Sequence, residues 1–159
     1  MITKFHKMKK YLIILFLSIL NLGCVSAQKL DYSDPFKNEI YFQDGRTKIT
    51  KENLTKYFED ILAKQGNTTK ISSFKLLNEK DESTQNNYDI IVGYNNDNSI
   101  KIANKLVPYN GRIYVLAGTT VTCKGCTRGC NPRQFGSDWE CTDCTWNGAC
   151  EKTVTTTLP

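Results

Sequence analysis

The sequence predicts an α+β protein in which one amphipathic helix packs on an antiparallel four-stranded meander, followed by a small disulfide-rich C-terminal module. Three observations predict it. Leu54, Tyr57, Phe58, Ile61 and Leu62 recur at helical spacing and form a single apolar stripe. Downstream, four short runs rich in β-branched and aromatic residues are separated by polar turns. Six of the seven cysteines then fall between Cys123 and Cys150, after a stretch from Phe36 to Thr122 that contains none.

The chain begins with the layout of a secretory signal peptide over residues 1–27: basic residues Lys4, Lys7, Lys9 and Lys10, an apolar run from Tyr11 to Leu20, and small residues before Gln28. Met8 before Lys9-Lys10 is an alternative start. The apolar run is shorter than the roughly 20 residues that span a bilayer. Val25-Ser26-Ala27 fits cleavage after Ala27, giving a secreted or periplasmic product. Gly23-Cys24 is the alternative, a lipoprotein box that would leave the chain anchored at Cys24, although Asn21 stands where that box usually has leucine. The leader holds four of the 21 Lys+Arg and none of the 16 Asp+Glu, so the net charge of +5 belongs mostly to it. The remainder carries no basic stripe interleaved with aromatics, and nucleic acid is not an expected partner.

Residues 28–35 read as a polar lead-in to a body over residues 36–122. Asp44-Gly45 sits between two short strand-forming stretches and predicts a hairpin, because glycine tolerates the positive φ of such turns. The helix follows, with Thr50 as its cap and Gly66 as its left-handed stop. KISSFKLLN, NYDIIVGY, SIKIANKLV and RIYVLAGTTVT are the four strands, and Asn110-Gly111 before the last is the best hairpin turn in the chain. One face of this meander is expected to lie under the helix. A single helix followed by such a meander resembles the cystatin-type α+β topology in element order, and the resemblance carries no function with it.

The cysteines of residues 123–150 are spaced C-x2-C-x3-C-x10-C-x2-C-x5-C. A segment this short, rich in Gly, Thr, Asn and Asp, needs cross-links or a metal to hold a fold. In an exported chain with an even count, structural disulfides through Cys123, Cys126, Cys130, Cys141, Cys144 and Cys150 are the expected device. Six cysteines allow 15 pairings. Bonds between the first triplet and the second are favoured, because pairing within each C-x2-C would leave the halves unconnected. The alternative is a zinc ribbon through Cys123, Cys126, Cys141 and Cys144, two knuckles that would supply four thiolates. A redox role for the C-x-x-C pairs is the third reading, but neither pair opens an apolar-periodic helix. The final residues 151–159, EKTVTTTLP, read as a flexible tail.

The single histidine, His6, lies in the leader. Hydrolases that use a histidine base and metal sites that need imidazole are therefore excluded from the exported chain. Asp138, Glu140 and Asp143 near Trp139 and Trp146 are the remaining catalytic candidates, and they read more simply as partners of Lys124, Arg128 and Arg133. Phe135, Trp139 and Trp146 are candidate contact aromatics, some of which a miniature core around the bridges should consume. Asn53 and Asn67 match the glycosylation acceptor pattern by chance. The expectation is a non-enzymatic binding protein of the bacterial envelope, with a protein or glycan partner outside the cytoplasm and no cofactor. The alternative is a periplasmic thiol–disulfide or zinc-binding protein.

Overall fold

The computed structural model describes residues 29–116 and 118–156. The leader, both cleavage sites, Cys24 and residues 157–159 lie outside them. Over the described residues the chain is mixed α+β, with one α-helix and mostly strands. After a 3-10 turn at Pro35–Lys37 come β1 (Ile40–Tyr41), α1 (Lys51–Lys64), β2 (Ser73–Lys80), β3 (Asn87–Tyr94), β4 (Ile100–Tyr109) and β5 (Arg112–Val115). The chain continues through β6 (Thr119–Lys124), β7 (Pro132–Phe135), β8 (Asp138–Cys141) and β9 (Glu151–Thr156).

Helix α1 begins where the sequence places it. The Thr50 hydroxyl accepts from the Asn53 N–H at 3.2 Å, and the Asn53 side chain accepts from the Thr50 N–H at 2.7 Å, a reciprocal cap. That cap occupies the Asn53 amide. Gly66, at φ 75°, ends the helix. The Asp44-Gly45 turn also forms, closed by Phe42 N–H to Thr47 O at 2.8 Å, but its second arm is a single bridge between Tyr41 and Lys48.

The expected four-stranded meander is only part of the sheet, which has seven strands. Strands β2, β3, β4 and β5 pair antiparallel in sequence order, and β1 adds in parallel to β5. The run RIYVLAGTTVT is two strands, not one. Strand β4 is long enough to pair with both: its end, Leu106–Tyr109, takes β5, and its start, Ile100–Ala103, takes β6 along the same edge. The buried Asn104 side chain lies opposite the break and makes up for the missing ladder. Its amide donates to Leu116 O at 3.1 Å and Thr119 O at 3.3 Å, while Thr120 Oγ1 donates to its carbonyl at 3.2 Å.

Residues 151–156 are not a fraying tail. They form β9, which pairs antiparallel along all of β6, Thr119 opposite Thr156 through Lys124 opposite Glu151. Backbone pairing with β6 and the polar contacts Gln65 Nε2 to Thr155 Oγ1 and Lys152 Nζ to Trp139 O make this strand, so its lack of an apolar pattern hides it from the sequence.

The sheet is buried on both faces. Leu54, Phe58, Ile61 and Leu62 of α1 cover one face, packing with Ile91, Ile102 and Leu106. The cysteine-rich segment covers the other: Cys123, Cys130 and Trp139 pack with Tyr88, Ile90, Val92, Ala103 and Val121. The continuous run Ile90-Ile91-Val92 is the sequence trace of this arrangement, since a strand buried on both sides loses its polar alternation. Among the described residues no helix is long and apolar enough to cross a membrane.

Candidate functional site

Three disulfides join the two cysteine triplets in parallel order: Cys123–Cys141, Cys126–Cys144 and Cys130–Cys150. Every bond runs from the first triplet to the second. The four sulfurs of the zinc alternative are thus consumed in two cross-links and offer no thiolate set, and neither C-x-x-C is bonded internally. Cys123 and Cys130 are fully buried and serve as apolar core atoms as well as bridge ends.

Polar contacts then fix this layer to the sheet. Lys101, 3% exposed on β4, donates from its Nζ to Gly129 O at 2.6 Å and Cys126 O at 3.4 Å, holding the loop of the first triplet. Burial pushes its ammonium pKa down. At the far end, the β7–β8 hairpin is clasped to the β2–β3 turn. The Asp81 carboxylate, 5% exposed, accepts from Gly136 N–H at 3.1 Å and from Ser83 N–H at 2.8 Å, among other donors. Burial raises the Asp81 pKa, but these donors outweigh it and hold the carboxyl well below the usual range. Tyr88 accepts from Gln134 N–H at 2.8 Å, and Arg133 bridges Glu82 at 2.8 Å and Glu140 at 3.0 Å. Glu140, one of the three carboxylates weighed for catalysis, is therefore an ion-pair partner.

The three candidate contact aromatics separate. Trp139 is 5% exposed and belongs to the core beneath the bridges, so it is not a contact residue. Phe135, at the tip of β7, and Trp146, in the loop before β9, are exposed. No ring contact links any two of the three among the described residues.

Several clefts among the described residues lie away from the disulfides, and the sequence pointed to none of them. One, about 500 Å³, is at the β4–β5 hairpin and is lined by Gln43, Val107, Pro108, Tyr109, Tyr114 and Leu116, among others. The Asn110-Gly111 turn closes this hairpin, with φ of 48° and 75° at the two residues, the pair of positive values a tight hairpin requires. Tyr109 is 66% exposed; its ring lies 6.5 Å from that of Tyr114, which lies 6.3 Å from that of Tyr41. The Arg112 guanidinium sits 5.1 Å over the Tyr41 ring. The usable signal was Pro108-Tyr109 and Tyr114 flanking a strong turn, which the eye reads as strand ends.

Another cleft, about 530 Å³, opens beneath the C-terminal end of α1, between the loop that follows it, the β3–β4 turn and the β6–β9 ladder. Of its lining residues only Ile100 is apolar; the rest include Gln65, Asn67, Asp97, Thr122, Lys124 and Thr153. It exists because β9 extends the sheet past the helix, so it could not be seen while residues 151–156 read as a tail. In comparisons with known proteins, no protein-family model matches the chain, and no curated sequence or solved structure matches it at a significant level.

Proposed function

We propose that this chain is an exported, non-enzymatic binding protein that contacts a protein partner through the aromatic cluster at its β4–β5 hairpin. The single observation that carries the reading is the exposure of Tyr109 at the lip of an apolar cleft, with its ring braced by Tyr114. Tyrosine and arginine dominate the centres of protein interfaces, because each supplies large contact area at small conformational cost. Tyr41, Tyr109, Tyr114 and Arg112 are already packed on one another, so little ordering remains for the moment of association. Export is supported by the leader-like sequence of residues 1–27 and by three bridges, which persist in oxidising compartments. The absence of histidine after His6 and the pairing of Glu140 with Arg133 support a role without catalysis.

Photo-crosslinking in the native host tests this. A benzophenone side chain at position 109 should yield a discrete adduct with one protein, and the same group at position 146 should not. The isolated partner should then bind the Tyr109→Ala variant roughly 30-fold more weakly, the effect of losing about 2 kcal/mol at an interface centre. No adduct from position 109, or equal affinity for the variant, would overturn the proposal.

A further inference from the structure

We infer that the free edge of β2 is a self-association surface, on which a second copy of this chain adds its own β2 antiparallel across a two-fold axis. Strand β2 ends the path β1-β5-β4-β3-β2 and pairs with β3 alone, over eight residues and in unbroken register. Alternate N–H and C=O groups on its outer side therefore meet no other strand among the described residues. The 3-10 turn passes close by, with Phe36 edge-on to Phe74 at 5.4 Å, but no backbone hydrogen bond joins it to β2.

Such an edge is a template for another strand, and proteins usually blunt it with proline, a bulge or a charge that has no counterpart. Strand β2 has neither proline nor bulge. Its charges are placed symmetrically instead: Lys75 and Glu79 lie two residues to either side of Leu77. Both are exposed, and neither enters an ion pair among the described residues. They cannot neutralise each other within one chain, being about 13 Å apart along an extended strand.

A two-fold axis at Leu77 brings them together. Lys75 of one copy then stands opposite Glu79 of the other, the symmetry repeats the pair, and Leu77 faces Leu77. Residues directly opposite in an antiparallel pair are about 4.5–5.5 Å apart at Cβ, within reach of charge pairing. Lys75 rests over the Tyr94 ring at 5.5 Å, an exposed contact that its flexible stem can leave. Leu77 is half-buried against the disulfide-side core, and its remaining surface would be covered at the centre of the new pair. Moving the axis half a residue either way sets Lys75 against Asn78 or Lys80 and loses both ion pairs.

This charge pattern names the occupant, because a second copy matches it by symmetry. The other open edge, β9, lacks the property: its charges, Glu151 and Lys152, are adjacent at one end, so setting them opposite each other pairs only that end. Strand β2 lies at the far end of the sheet from β1 and β5, so self-association leaves the aromatic cluster free and does not depend on it.

Sedimentation equilibrium of the oxidised chain is expected to show a monomer–dimer equilibrium with a Kd between about 10 µM and 1 mM, the weak range suited to a small interface. Hydrogen exchange of the β2 amides should slow as concentration rises, and that of the β9 amides should not. Lys75→Glu and Glu79→Lys each turn both opposite-charge pairs into like-charge pairs and should weaken the dimer on the order of tenfold. The double exchange Lys75→Glu/Glu79→Lys should restore it, since both pairs re-form with their signs reversed. The inference is overturned if the chain stays monomeric at about 1 mM, which would leave the edge to a strand of a different protein. It is equally overturned if β2 exchange does not depend on concentration, or if the double exchange dimerises as weakly as the single variants.

Discussion

Gly93 shows how one position on β3 is set by what lies above it. A Cβ built there would stand 2.8 Å from the Phe58 ring and 3.1 Å from the Ile71 side chain, and Phe58 is fully buried against the sheet. The ring cannot retreat into solvent, so a methyl group must displace packed neighbours. Gly93→Ala is expected to destabilise the fold by about 1–3 kcal/mol, the usual cost of overpacking a tight core, measurable by urea unfolding. If the variant were as stable as wild type, Phe58 would not be clamped as described. The same residue shows what a sequence conceals: a glycine within NYDIIVGY reads as a weak point in a strand, and only the helix above reveals why nothing larger fits.

Among the elements, those fixed by neighbours in the chain were legible. The α1 stripe, its Thr50 cap and the Asn110-Gly111 turn depend on successive residues no more than four positions apart, and the structure keeps all three. Elements fixed by distant partners were not. Strand β9 exists through β6, and the break between β5 and β6 exists because Asn104 of β4 satisfies its backbone. The β7–β8 hairpin also depends on a distant group, Asp81, and the dependence is testable by pH. Because its native pKa is depressed, Asp81 contributes stability that is fully present above the ordinary carboxylate value, about 3.9, and is lost as pH falls from there through the lower native value. Asp81→Asn is therefore expected to lower the urea midpoint at pH 7 and to show a shallower further decline between pH 4 and pH 2 than wild type. Parallel declines in the two proteins would mean that the carboxylate does not hold Gly136. The Arg133 pair with Glu82 is too exposed to mimic this effect, since such pairs contribute about 0–1 kcal/mol.

In the molecule as a whole, the bridges replace a core that the C-terminal segment lacks. Trp139 is its one large apolar side chain buried against the sheet, and the fully buried Cys123 and Cys130 supply much of the remaining apolar contact. In the chain-entropy account, closing a loop of 18 residues stabilises by about 3 kcal/mol. The three overlapping loops do not sum, because two bridges already hold the ends that the third would join. What distinguishes them is burial: Cys126–Cys144 is half-buried at the surface, while Cys123–Cys141 is anchored within the sheet, Cys123 opposite Lys101 of β4. The Cys126→Ala/Cys144→Ala pair is thus expected to cost clearly less than 3 kcal/mol, below the single-loop value because the neighbouring bridges remain. The Cys123→Ala/Cys141→Ala pair should cost more, since it also opens a cavity beside Val121 and Trp139. Thermal unfolding of the two oxidised variants orders them, and intact-mass measurement after thiol labelling should find all six cysteines blocked in the parent chain. The reverse order of stability would mean that the bridges act only as chain constraints, and labelling of any of the six in the folded parent would remove that bridge from the frame.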